Sequence, residues 1–86
     1  MIEIKGSGIP LKSFIDDILY RICFADQSII IIYDNEIIWD SNFKILYRAK
    51  EGIRNNKDKE NIEWLLKRTV YGFTIDKNGV LVIYVD

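Results

Sequence analysis

Apolar residues follow two different spacings along this chain of 86 residues, and each spacing predicts its own type of element. Residues 1–5 alternate between apolar and charged, which predicts a short, half-exposed strand. The isoleucine run Ile29–Ile32 predicts a strand over Ser28–Tyr33 with apolar groups on both faces, and Glu36–Asp40 predicts its returning partner. Asp34 and Asn35 tolerate positive φ, so they predict a tight primed turn. This central hairpin organises the rest of the prediction.

Helical spacing appears in two clear segments and one ambiguous segment. The first predicted helix runs from Pro10 to Ala25, with one apolar stripe formed by Leu11, Phe14, Ile15, Ile18, Leu19, Ile22 and Ala25. The second covers Lys59–Thr69, with a core face of Ile62, Leu65, Leu66 and Thr69. Segment 41–52 is compatible with a strand, but Ser41 or Asn42 as N-cap and Gly52 as terminator favour a short helix. The core face of that helix would contain Ile45, Leu46, Ala49 and Ile53.

The end of the chain predicts a second hairpin, Val70–Lys77 and Val80–Val85, around Asn78-Gly79. A two-residue loop there would place Ile75 opposite Val82 and Phe73 opposite Tyr84. We therefore predict a single α+β domain over residues 1–86, with a mainly antiparallel sheet of about five strands. Two or three helices pack on that sheet.

Composition and charge exclude several classes of protein. The chain has no histidine and one cysteine, Cys23, so it lacks the commonest general base and cannot form a multi-cysteine zinc site. We expect no enzyme activity, catalytic residue, cofactor or metal. No secretory signal or membrane span is evident, which predicts a cytoplasmic location without membrane association. The net charge of −1 argues against a dedicated nucleic-acid binder.

Charge is nevertheless uneven along the chain. Residues 1–42 carry three basic and seven acidic groups, whereas residues 43–68 carry eight basic and four acidic groups. The basic side chains interleave with Tyr47 and could follow a phosphate backbone, although Glu51, Asp58 and Glu60 are interspersed. A solvated face of mixed charge is the preferred interpretation of this segment.

Six residues are left unexplained by the predicted core and are candidates for binding a partner. Trp64 projects from the charged side of the second helix, with Lys67 and Arg68 one turn away and Tyr71 just beyond. Trp, Tyr and Arg are enriched at binding hot spots, but Trp64 could equally be covered by the fold. Tyr20 and Phe24 point away from the stripe of the first helix, and burial of that helix on two sides is the preferred explanation for them.

These observations predict a non-catalytic module that binds another protein. Residues with A/T-rich codons are common and alanine and proline are rare, which favours an AT-rich genome such as that of a low-GC bacterium or its phages. With the small size, this makes a phage or mobile-element inhibitor or accessory protein one form of the hypothesis. Such a protein would counter host defence in an anti-CRISPR-like manner. The alternative is a nucleic-acid-binding accessory protein that uses the basic segment 44–68. A homodimer joined through a sheet face or edge is a further possibility.

Overall fold

The computed structural model describes residues 2–3, 8–52 and 59–86, and its architecture is the predicted α+β type: one layer of helices on one mixed sheet. The strands are β1 (Ile2–Glu3), β2 (Ile9–Pro10), β3 (Ser28–Tyr33), β4 (Glu36–Asn42), β5 (Thr69–Ile75) and β6 (Leu81–Val85). The helical elements are α1 (Leu11–Phe14), a π-helical segment (Ile15–Leu19), α2 (Tyr20–Ile22), α3 (Phe43–Lys50) and α4 (Lys59–Leu66).

The sheet has the order β1-β5-β6-β3-β4, and β2 pairs with β5 beside β1. The inner strands β3 and β6 are parallel to each other, with Ile30 opposite Val82 and Ile32 opposite Tyr84. The remaining pairs are antiparallel. The dense apolar run of β3 is therefore an inner strand, as the sequence predicts, and it has a neighbour on each side.

The core lies between the helices and one face of the sheet. Its strand residues are Ile29, Ile31, Val70, Leu81, Ile83 and Val85, and its helical residues are Leu11, Phe14, Ile15, Leu19, Phe43, Leu46 and Leu65. Because successive strand residues point to opposite faces, Ile30, Ile32, Val82 and Tyr84 belong to the other face. These four are half-buried and lie outside the core. Apolar groups on both faces of β3 therefore do not indicate burial on both faces.

The first helix is shorter than predicted and its apolar stripe is displaced. The predicted end at Ala25 is wrong, because the backbone becomes extended at Cys23, with φ −104° and ψ 138°. The π-helical segment changes the i→i+4 phase of the helix, so residues beyond it turn away from the predicted stripe. Ile22 is consequently 52% exposed, although Leu11, Phe14, Ile15 and Leu19 are fully buried as predicted.

Segment 41–52 forms the helix that its capping residues favour. The side chain of Asn42 accepts a hydrogen bond from the Ile45 backbone N–H at 2.9 Å, which caps the first turn of α3. Gly52, with φ 79°, donates to the Ala49 carbonyl at 3.0 Å and ends the helix. Ile45, which was expected on the core face, is 45% exposed. The expected contribution of Ile53 lies outside the described residues.

The turn of the first hairpin is the predicted one, whereas the turn of the second hairpin is not. Asp34 and Asn35 have φ of 52° and 66°, which is the predicted primed turn. The second turn is a three-residue loop instead, because Asp76 pairs with Val80 through a backbone bond of 2.9 Å. The Asp76 carboxylate also accepts from the Asn78 and Val80 N–H groups, at 2.8 and 3.0 Å. This carboxylate favours the longer loop, in which Gly79 has positive φ and Asn78 does not.

The longer loop shifts the register of the C-terminal hairpin by one residue. Ile75 is opposite Leu81 and Phe73 is opposite Ile83, so the predicted pairs with Val82 and Tyr84 are wrong. Phe73 therefore packs against the core beneath the helices, with its ring centroid 5.4 Å from that of Phe14. Thr69, predicted to end the second helix on its core face, begins β5 instead, since α4 ends at Leu66.

Candidate functional site

Trp64 stands out on the helical layer because its ring is held in place while 43% of the residue is exposed. Its ring meets the Tyr33 ring edge to face, with centroids 5.3 Å apart. The guanidinium carbon of Arg68, which follows the end of α4, lies 4.6 Å from the Trp64 ring centroid. We call Trp64, Tyr33 and Arg68 the anchor cluster. The predicted neighbourhood of Trp64 and Arg68 is present in the structure, whereas Tyr33 was considered only as the end of a strand.

Arg68 has an unusual environment for a cation. Its Nε is buried and has no hydrogen-bond partner among the described residues. A buried donor without a partner costs about 1–3 kcal/mol, so its position is maintained by other contacts, including the stacking on Trp64. The Arg68 backbone contributes as well, because its carbonyl accepts a hydrogen bond of 2.7 Å from the Leu11 N–H. The guanidinium is thereby fixed beside an exposed aromatic ring.

Tyr71 lies at the same end of the sheet as Tyr33, but on strand β5. The register of β5 against β6 shifts between Val70 and Gly72, so Tyr71 is the extra residue of a bulge. It is 45% exposed, and its ring centroid is 6.2 Å from that of Tyr84 on the helix-free face. Tyr71 also borders a groove of about 440 Å³ lined by Tyr33, Asp34, Asn35, Tyr71, Val85 and Asp86. Tyr33 therefore contributes both to this groove and to the anchor cluster.

Lys67 occupies a different position from its neighbour Arg68. It borders a groove of about 400 Å³ between the first helix and α4, together with Pro10, Lys12, Ser13, Glu63 and Leu66. A charge at the margin of an interface mainly affects the rate of association, whereas a stacked Arg contributes more to the stability of the complex. The structure thus separates the two basic residues that the sequence groups with Trp64.

Tyr20 and Phe24 are at the opposite end of the sheet and are exposed. Their exposed fractions are 62% and 79%, so burial of the first helix on two sides, which the sequence favoured, is wrong. The reason is that the helices cover only one face of the sheet, which leaves the outer side of the first helix in solvent. Phe24 precedes the first residue of β3, whereas Tyr33 is its last residue. These two aromatics therefore do not join the anchor cluster.

Tyr20 belongs to a second aromatic group at the start of α3. Its ring centroid is 5.6 Å from that of Tyr47, and Tyr47 is 5.7 Å from Phe43. The ammonium of Lys50 lies 4.4 Å from the Tyr47 ring centroid and 2.7 Å from the Asp16 carboxylate. This group borders a groove of about 290 Å³ that also includes Lys44 and Arg48.

Two ionisable groups in this region have shifted pKa values. Burial tends to lower the pKa of Lys50, but its hydrogen bonds to Asp16 and Glu51 outweigh burial and raise the pKa above the ordinary lysine value. Lys50 therefore remains charged and paired. Burial raises the pKa of the Cys23 thiol, which keeps it in the less reactive protonated form.

Within residues 2–3, 8–52 and 59–86, no group of three acidic or cysteine side chains is placed to hold a metal ion. The helices described in those ranges are also too short or too polar to cross a bilayer. In comparisons with known proteins, no family model matches the chain, and no curated protein or solved structure shows significant similarity to it.

Proposed function

We propose that this chain is a non-catalytic protein-interaction module that binds its partner through the anchor cluster. The observation that supports this most is the exposed ring of Trp64, held between Tyr33 and Arg68. An aromatic ring that is already ordered loses little side-chain entropy on binding, so more of its burial energy contributes to affinity. Arg68 provides directional hydrogen-bond donors beside this apolar surface.

The guanidinium of Arg68 supports the same proposal. Its Nε is buried without a partner among the described residues, so a partner would contact the terminal Nη groups, whose hydrogen bonds a carboxylate or carbonyl accepts. We infer that the partner surface presents such an acceptor next to an apolar side chain. Tyr71 and Lys67 would then flank the contact, in the groove beside Tyr33 and the groove beside α4 respectively.

A nucleic-acid-binding accessory protein is the second candidate function. Exposed Lys44 and Arg48 beside the rings of Tyr20 and Tyr47 support it, since stacking rings and cations together suit single-stranded nucleic acid. Lys50 contributes less to this candidate, because its ammonium is already paired with Asp16. The role of a phage or mobile-element inhibitor is a narrower form of the leading proposal, and its support is the small size and the amino-acid composition.

Site-specific photo-crosslinking in cells that express the chain separates the two candidates. One variant carries the photoreactive residue at Asn61, an exposed position one turn before Trp64 on α4. The matched variant carries it at Ile45, which is exposed on α3 next to Lys44. The leading proposal predicts a discrete protein adduct from position 61 that disappears when Trp64→Ala is added. Nuclease-sensitive adducts from position 45, without a protein adduct from position 61, would favour the nucleic-acid candidate instead.

A further inference from the structure

The sheet face that the helices leave uncovered is apolar at its centre. Ile30 and Val82 are directly opposite each other on the parallel strands, as are Ile32 and Tyr84. All four are half-buried and outside the core. Ile37 pairs with Ile32 at the edge of this face and is 60% exposed. Contiguous apolar surface of this kind on a small protein marks an interaction site.

Among the strand side chains that the structure describes, the charge on this face is acidic. β1 to β6 contain no lysine or arginine, and Glu36 lies on the helix side of the sheet because it pairs with Tyr33, which packs against the core. Asp40 pairs with Ile30, so it stands on the uncovered face, where it is exposed. The basic residues of the described helices, such as Lys44 and Arg48, are in the opposite layer. The uncovered face is therefore an apolar floor with an acidic edge.

A second copy of the chain is a poor occupant for this face. Four strands about 4.8 Å apart and about 17 Å long give a face of roughly 300 Å². A stable dimer of ordinary size buries about 800 Å² on each partner, so the face is too small for a symmetric sheet-on-sheet dimer.

An α-helix matches the dimensions of the face. Three turns of helix are about 16 Å long and about 10 Å wide with side chains. The length matches that of the strands, and the width matches the apolar band that β3 and β6 form. We propose that the uncovered face, centred on Ile30, Ile32, Val82 and Tyr84, binds an amphipathic partner helix that has an apolar stripe and basic flanks. The basic flank would pair with Asp40. This surface is distinct from the anchor cluster, and helix binding to it does not require that cluster.

Titration with two synthetic peptides tests this proposal on the intact chain. Both peptides are helices of about four turns with leucines along one face. One has lysines on its flanks, and in the other every lysine is replaced by glutamate. Backbone amide shifts locate the bound peptide, and fluorescence anisotropy of a labelled peptide gives the affinity. We expect saturable binding of the basic peptide, shifts centred on β3 and β6, and at least about tenfold weaker binding of the acidic peptide.

Three variants complete the test. Val82→Lys places a cation at the centre of the face and should weaken the basic peptide by about tenfold or more. Asp40→Lys, at an exposed edge position, should weaken it severalfold without unfolding the chain, even if Val82→Lys proves unstable. Trp64→Ala should leave peptide affinity unchanged. The proposal is overturned by equal binding of both peptides, by no binding, by shifts confined to the helical layer, or by self-association of the chain through the same amides.

Discussion

The indole of Trp64 meets the phenol ring of Tyr33 edge to face, with ring centroids 5.3 Å apart, although Trp64 remains 43% exposed. This contact joins α4 to the end of β3, so Trp64 has a structural role beside its proposed binding role. An aromatic pair contributes about 0.5–1.5 kcal/mol beyond the burial of its area, which is well below the value of a fully buried Trp.

Trp64→Ala should therefore lower the free energy of unfolding by about 1–2 kcal/mol, since one aromatic pair and one cation–π contact are lost. Urea denaturation of the single variants and of Trp64→Ala/Arg68→Ala gives the coupling between the two residues. We expect a coupling of about 0.5–1 kcal/mol. A loss of about 3–5 kcal/mol for Trp64→Ala would mean that Trp64 is a core residue and would contradict its assignment as an anchor.

Neighbouring residues of β3 should respond very differently to the same substitution. Ile31 is fully buried beneath the helices, so Ile31→Asp leaves an unpaired charge in the core and should prevent folding. Ile30→Asp places the charge on the uncovered face and should leave a folded protein with reduced stability. Circular dichroism and thermal unfolding of this matched pair test whether the sheet is covered on one side. Equal unfolding by both variants would show that a second layer covers Ile30.

The C-terminal turn predicts a contrast between two adjacent residues. Gly79 has φ 82°, so Gly79→Ala should cost about 1–2 kcal/mol of stability. Asn78 keeps a negative φ and uses its backbone N–H, and Asn78→Ala should change stability by no more than about 0.5 kcal/mol. A two-residue primed turn would need positive φ at both positions, and equal losses for the two variants would support that turn instead.

The ion pair between Lys50 and Asp16 predicts how stability changes in alkaline solution. The pKa of Lys50 is raised in the folded state, so this lysine stabilises the fold while it is protonated in both states. Its contribution is complete below the unfolded lysine value of about 10.4 and is lost as pH rises through the higher folded value. Denaturation between about pH 8 and 11 should show a smaller alkaline loss for Lys50→Met than for the natural chain. Identical slopes would argue against the pair.

Much of the fold could be predicted because local signals agree with the tertiary structure. Asn42 and Gly52 define α3 through caps, and Asp34-Asn35 defines the first turn through positive φ. Two elements contain one residue more than the sequence pattern predicts. They are the π-helical segment before Ile22 and the second turn, which the Asp76 carboxylate stabilises. Hydrophobic spacing does not detect such insertions, and each one moves the following side chains to another face.

The site was only partly predictable for a related reason. Trp64 and Arg68 are four residues apart in the sequence, and their side chains are in contact in the structure although α4 ends at Leu66. Tyr33 is far from them in sequence and becomes a neighbour only because α4 packs over the end of β3. The apolar character of Ile30 and Ile32 was visible, but one strand cannot indicate whether a sheet has a layer on both sides.

The central claim, that Trp64 is a binding anchor, is tested most directly by the affinity of the partner captured through position 61. We would measure its Kd for the natural chain, for Trp64→Ala, and for Ile45→Ala, an equally exposed position away from the anchor cluster. The account predicts that Trp64→Ala weakens binding by about 30-fold or more, the equivalent of a hot spot of about 2 kcal/mol, while Ile45→Ala changes it less than about twofold. An unchanged Kd for a folded Trp64→Ala protein would contradict the account.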